Sequence, residues 1–208
     1  MPGSTVPERM DEIRPDSAII RASWDHPELF GRIVERHHDV VFRYVVRRIG
    51  RLDARDITAE VFLNAFAGRG RFDTATESAR PWLFGIAFNL IGRRLRTIRR
   101  RQRLAEALPG LRPVEDFASD SESRIAASGL EAELWAALDS LSESDRETFL
   151  LYAVDGLTYS EVAAVLSIAV GTVASRISRV RSLIREAIPD LERRVNEEGY
   201  PKRGPSDG

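Results

Sequence analysis

The chain has 208 residues, 31 basic and 32 acidic side chains, a net charge of −1 and 43% hydrophobic residues, so it can bury real cores and is not disordered as a whole. The absence of cysteine excludes disulfides, thiolate metal sites and direct thiol redox sensing. No apolar run approaches the ~20 residues a membrane span needs, and the N-terminus has no apolar signal core, so the expectation is a cytoplasmic protein without membrane insertion.

The near-zero net charge hides a segregation. From Arg80 to Arg103 there are eight arginines and no acid, whereas Leu104 to Ser128 carries five acids and two arginines. For binding a polyanion, such patches matter more than the total.

In chain order, residues 1–23 hold three prolines and scattered charges without a period, and are expected to be a mobile lead-in. From His26 the apolar residues Leu29, Phe30, Ile33, Val34, Val40, Val41, Tyr44, Val45 and Ile49 recur at three- and four-residue steps. They predict a helix that Gly50 ends. A second helix is expected from about Ala54 to Ala67, with Ile57, Val61, Phe62, Ala65 and Phe66 inward. Its other face shows Asp56, Glu60 and Asn64, which reads either as solvated surface or as a contact for a partner. The stretch Gly68–Ala79 has the glycine and small polar residues of a loop. Pro81 then opens a long helix, as proline in the first turn commonly does. Trp82, Leu83, Ile86, Ala87, Leu90 and Ile91 are its candidate core residues. Seven arginines in Arg93–Arg103 would repel one another unless an anion lay nearby, and a phosphate backbone is the natural candidate.

Residues 105–129 carry Pro109, Pro113, an acidic bias and no period, and read as a flexible linker. Leu130, Leu134, Leu138 and Leu141 begin a second helical domain, 130–188. Ser142 to Asp145 is a capping pattern, and the helix after it carries Phe149, Leu150 and Tyr152 and ends near Gly156. Pro189 closes the last helix, and 189–208 looks like a loose tail.

The stretch Leu157–Glu186 predicts two helices joined by Ser167-Ile168-Ala169. Thr158 and Glu161 form a capping box for the first, whose apolar side is Val162, Ala163, Val165 and Leu166. On the second, Val173, Ile177, Val180 and Ile184 fall within about 60° of one another. The opposite face carries Gly171, Ser175, Ser178 and Ser182, flanked by Arg176, Arg179, Arg181 and Arg185. Small polar residues between arginines, on a helix that follows a tight turn, suit a major groove; this is helix-turn-helix geometry. The plain alternative is a helical hairpin with a solvated arginine face. A transcription regulator with an N-terminal ligand-binding domain, an enzyme and an adaptor are the other readings. No P-loop or HExxH motif supports an enzyme, and adjacent His37 and His38 read as surface or partly packed side chains.

Several motifs in this order, D-I-T-A-E-V-F-L-N-A-F, R-P-W-L-F-G-I-A-F-N-L, the arginine run, L-D-S-L-S-E-S-D-R-E-T-F-L-L and L-T-Y-S-E-V-A…G-T-V-A-S-R-I-S-R-V-R-S-L, resemble a bacterial RNA polymerase sigma factor. The sigma-70 family and its small extracytoplasmic-function (ECF) group fit best, over residues 24–188. The resemblance implies an all-α fold of two small helical domains joined by a flexible linker. The first, 24–104, would be like sigma region 2 and the second, 130–188, like the helix-turn-helix of region 4. It implies no enzyme, no catalytic residue, no metal and no cofactor. The implied partners are RNA polymerase core, through its β′ clamp helices and β flap, promoter DNA, and an anti-sigma factor.

Residue by residue, the resemblance gives Asp56, Glu60 and Asn64 to the core-polymerase contact. It gives Arg71, Phe72, Asp73, Trp82, Phe88, Asn89, Arg93 and Arg96 to capture and melting of the −10 strand. Thr172, Ala174, Ser175, Arg176, Ser178 and Arg179 go to the −35 duplex. By helical angle from Val173, Arg176 is expected at phosphate and Arg179 at a base edge. The chain departs from the family pattern at Ala59, Phe88, Ser167, Ala169 and Ala174. Ser167 stands where glycine is common, in a left-handed turn that costs a residue with a Cβ ~1 kcal/mol.

Overall fold

A computed structural model describes residues 14–107, 129–189 and 191 of the chain. Every regular element among these is helical. The chain divides into two compact units. The expected linker lies outside the described residues except at its edges: residues 105–107 continue a helix, and Gly129 precedes the next one. The C-terminal tail is also outside them from residue 192 on.

The first unit begins with α1 (Asp16–Ala22), where the sequence predicted mobile chain. Its seven residues are too few to hold a helix by propensity or to show a period. Packing supplies what the local sequence lacks, since Ile19, Ile20 and the Asp16 carboxylate are all buried. A 3₁₀ turn, Pro27–Phe30, leads into α2 (Gly31–Gly68). Helix α2 is broken at Gly50, whose φ of 75° and ψ of 171° belong to a region open only to glycine. The expected stop at Gly50 is therefore a kink, and helix resumes at once.

Beyond the kink Ala54, Ile57, Val61, Phe62 and Ala65 turn inward. A short 3₁₀ turn, Arg69–Arg71, opens the loop that leads to α3 (Arg80–Ala107). Leu83, Phe84, Ala87, Leu90 and Ile91 bury the first half of α3, and the Phe84 ring stands edge-on to Tyr44 of α2 at 4.7 Å. Arg94 of α3 also reaches Asp53 of α2 at 2.9 Å.

The second unit is built from α4 (Leu130–Asp139), α5 (Glu143–Ala153), α7 (Val170–Ala187) and the start of α6 (Tyr159–Leu166). Leu138, Leu150, Val180 and Ile184 form its core, and Leu134, Trp135, Leu141 and Phe149 pack around them. Ser142 caps α5 by accepting the Asp145 N–H at 3.1 Å.

Candidate nucleic-acid and polymerase interface

The helix-turn-helix is built as its sequence predicts. The Thr158 N–H donates to Glu161 Oε2 at 2.7 Å, and the Glu161 N–H donates to Thr158 Oγ1 at 3.3 Å, a reciprocal capping box at the start of α6. Val162, Ala163 and Val165 are buried. Ser167 has φ of 54°, so the turn is left-handed although it lacks the glycine that would adopt it without strain. Val173, Ile177, Val180 and Ile184 are buried along α7, and this leaves Gly171, Ser175, Ser178, Arg179 and Ser182 exposed on the other side. Thr172 and Ala174 are half-buried at its start. The Ser175 hydroxyl donates to Thr172 O at 2.9 Å, which turns its lone pairs outward.

Of the two central arginines, Arg176 departs from its expected place at phosphate, whereas Arg179 stays on the open side. Arg176 is only 23% exposed; its Nη1 donates to Thr148 Oγ1 at 3.3 Å and its Nε lies 3.8 Å from the Asp145 carboxylate. The helix flank on which it sits is covered by α5. Arg176 is thus spent inside the domain, not held out to phosphate. Arg179 is 60% exposed, and its Nη1 donates to both Asp145 oxygens, at 3.1 and 3.3 Å. Neighbour contacts of this kind come from another helix, and no local pattern in α7 announces them.

In the first unit α3 is unbroken, so Trp82, Asn89, Arg93 and Arg96 fall within about 60° of one another, whereas Phe88 stands about 100° from Asn89. Asn89, Arg93 and Arg96 are exposed and Trp82 and Phe88 half-buried. Asn89 Nδ2 donates to Gly85 O at 2.9 Å. Arg71 and Asp73 are exposed in the loop, where Asp73 Oδ1 accepts the Ala75 N–H at 3.0 Å. Phe72 is a correction: it is 6% exposed and packs against Trp82, with ring centroids 5.1 Å apart. A ring held inside in this way anchors the loop and has no face left for a base.

The loop is tied down by α1, a connection the sequence did not reveal. Asp16 Oδ2 accepts from His37 Nε2 and from the Ala79 N–H, both at 2.7 Å, and Asp16 Oδ1 accepts from Arg36 Nη1 at 2.6 Å. Burial alone would raise the Asp16 pKa, but His37, the Ala79 amide and Arg36 together hold the carboxyl below its ordinary range. Arg21 reaches Thr74 Oγ1 at 2.8 Å. Of the two adjacent histidines His37 is buried and His38 is exposed.

Asp56, Glu60 and Asn64 are all exposed on α2, and Asn64 Nδ2 is turned back to Glu60 O at 2.8 Å. Two leucines missed in the sequence share this face: Leu52 is 82% and Leu63 69% exposed. Their spacing from Asp56, four and seven residues, was the available signal. Among the described residues no group of histidine, aspartate and glutamate could hold a metal ion, and no single helix is long and apolar enough to cross a membrane.

A helix-turn-helix unit and a separate helical unit with an arginine-rich helix define a DNA-directed transcription factor of bipartite type. The sigma-70 region 2 model matches residues 33–101 and the region 4 model matches residues 131–184. Over 153 residues the chain is 35% identical to the ECF RNA polymerase sigma factor SigC of Mycobacterium tuberculosis, covering 72% of this chain and 78% of that one. The ECF RNA polymerase sigma factor SigE of Mycolicibacterium smegmatis is 37% identical over 169 residues, which span 79% of this chain and 61% of that protein. The chain therefore belongs to the sigma-70 family, in its ECF group. Among solved structures the fold is similar to CnrH in complex with the cytosolic domain of CnrY (TM-score 0.58, 24% identity, 82% of this chain and 95% of that one). It is also similar to the sigma factor RpoE in complex with the anti-sigma factor NepR from Bartonella quintana (TM-score 0.57, 21% identity, 76% and 95%).

Proposed function

We propose that this chain starts transcription as a cytoplasmic promoter-selecting subunit, with the work divided between its two units. The second unit docks on the −35 duplex through α7, with Thr172, Ala174, Ser175, Ser178 and Arg179 toward the major groove. The first traps the unpaired −10 strand against Trp82, Asn89, Arg93 and Arg96, with Arg71 and Asp73 of the loop beside them. Stacking of an unpaired base on an aromatic ring contributes ~1–3 kcal/mol, and half-buried Trp82 and Phe88 keep part of a face for it. Asp56 and Glu60, with Leu52 and Leu63 between and beside them, form the surface for RNA polymerase core, whose β′ clamp helices and β flap are the docking points. Exposed leucines ringed by carboxylates suit a partner helix that is basic at its rim and apolar at its centre.

No covalent step is assigned to the chain; catalysis belongs to core polymerase and this subunit supplies position. Two weak DNA modules on one chain gain through effective concentration once core holds them in register. One protein of similar fold, the sigma factor RpoE, was solved with the anti-sigma factor NepR, and the same partner class is proposed here, with the α2 face as the part it would cover.

The observation that carries this reading is the α7 outer face, small, polar and flanked by arginine on a helix whose other side is fully buried. Run-off transcription with bacterial core polymerase on a set of genomic promoters tests it. Transcripts with defined 5′ ends should appear only when the protein is added. Identical transcript patterns with and without it would refute the proposal.

A further inference from the structure

The carboxylate of Asp145 is shared by two arginines of the same recognition helix. It is 10% exposed and sits in the first turn of α5, where its own N–H is fixed by Ser142 Oγ at 3.1 Å. Arg176 approaches from the covered side, bridging Asp145 and Thr148. Arg179 approaches from the open side, and both its contacts to the carboxylate run through Nη1. The hydrogens on Nη2 and Nε are thereby presented along a fixed edge, beside exposed Ser175 and Ser178.

We infer that Asp145 is a specificity-determining positioning residue, which holds Arg179 for one base edge and withholds it from the phosphate backbone. This rests on the proposed reading of α7 as the −35 helix. Two physical effects point the same way. A long arginine side chain can ordinarily swing to any nearby phosphate, and such contacts carry no sequence information. Pinning Nη1 to an immobile carboxylate removes that freedom and leaves a guanidinium edge of the geometry that pairs with guanine O6 and N7. The negative charge of Asp145 also opposes approach of the DNA backbone, so it weakens binding to every sequence except one that satisfies the presented edge. Arg176, held by the same carboxylate, keeps it from swinging outward with Arg179.

The test uses the full-length chain loaded on bacterial core polymerase, which holds its DNA modules in register, and a library of randomised short duplexes. Sequences enriched by the wild-type protein are compared with those enriched by Asp145→Asn, which keeps the shape and removes the charge. Affinities for the enriched duplex and a scrambled one are then measured by fluorescence anisotropy at several salt concentrations. Asp145→Asn should cut the ratio of matched to scrambled affinity by roughly tenfold, relaxing selection at one position, with scrambled affinity unchanged or higher. Arg179→Gln should relax the same position, and adding Asp145→Asn to it should change nothing further there, the signature of two residues acting as one. Asp145→Ser is the second variant, expected to behave as Asn does and independent of how Asn packs.

A merely structural role for Asp145 would lower both affinities together and leave the ratio intact. That result, or additive effects in the double variant, overturns the inference while the −35 reading stands. A wild-type chain that enriches no sequence overturns both.

Discussion

Replacing Asp16 by alanine should unfold the first unit at markedly lower temperature, because one buried carboxylate ties together three parts of it. Asp16 is 3% exposed and accepts from Arg36 and His37 of α2 and from the Ala79 N–H at the start of α3. Alanine removes the acceptor and strands those donors, one of them a backbone amide in a fully buried residue. Truncating one side of a buried ion pair costs about 3–5 kcal/mol, against a domain stability of roughly 5–15 kcal/mol. At about 4–8 °C per kcal/mol for a unit of this size, the first melting transition should fall by ~12 °C or more.

The pH dependence follows from the sign of the Asp16 shift. Its folded pKa lies below the ordinary value of 3.8. The stabilisation is therefore fully present above about pH 4 and is lost as pH falls through the folded value. Wild-type protein should show this acid slope below about pH 4, and Asp16→Ala should lack that part of it. Scanning calorimetry of the full chain between acid and neutral pH reads both, with the second unit as internal reference. A shift under ~3 °C at neutral pH, or an acid slope identical in the two proteins, would refute the reasoning.

Ser167→Gly should stabilise the protein by roughly 0.5–1 kcal/mol, since the residue sits at φ 54° with a Cβ; a lower midpoint in urea would count against strain at the turn. Gly50→Ala should cost about 1–3 kcal/mol by denaturant titration, a purely backbone penalty because a Cβ there would meet nothing within 4 Å. Asp56→Arg combined with Glu60→Arg should weaken capture of core polymerase in a pull-down while helix content by circular dichroism stays the same. Undiminished capture would show the α2 stripe to be solvated surface only.

Much of the fold was legible because it is written in short-range pattern. The spacing Val173, Ile177, Val180, Ile184 fixes which side of α7 is buried, and the Thr158–Glu161 box fixes where α6 begins. Both depend on residues within one or two turns, so no tertiary knowledge is required. Gly50 likewise marked a break that only its missing Cβ permits, though not that helix would resume at once rather than from about Ala54. What tertiary structure decided was long-range. Helix α1 has too few residues to announce itself and exists because Asp16 finds His37, 21 residues away, and Ala79, 63 away. Phe72 turned inward because Trp82 offered its ring a partner across the loop. Arg176 and Arg179 look alike in sequence, yet Asp145 and Thr148, about thirty residues earlier, draw one into the domain and pin the other at its surface. Helical periodicity tells which way a side chain leaves its own helix; only the packed neighbour determines what it meets there.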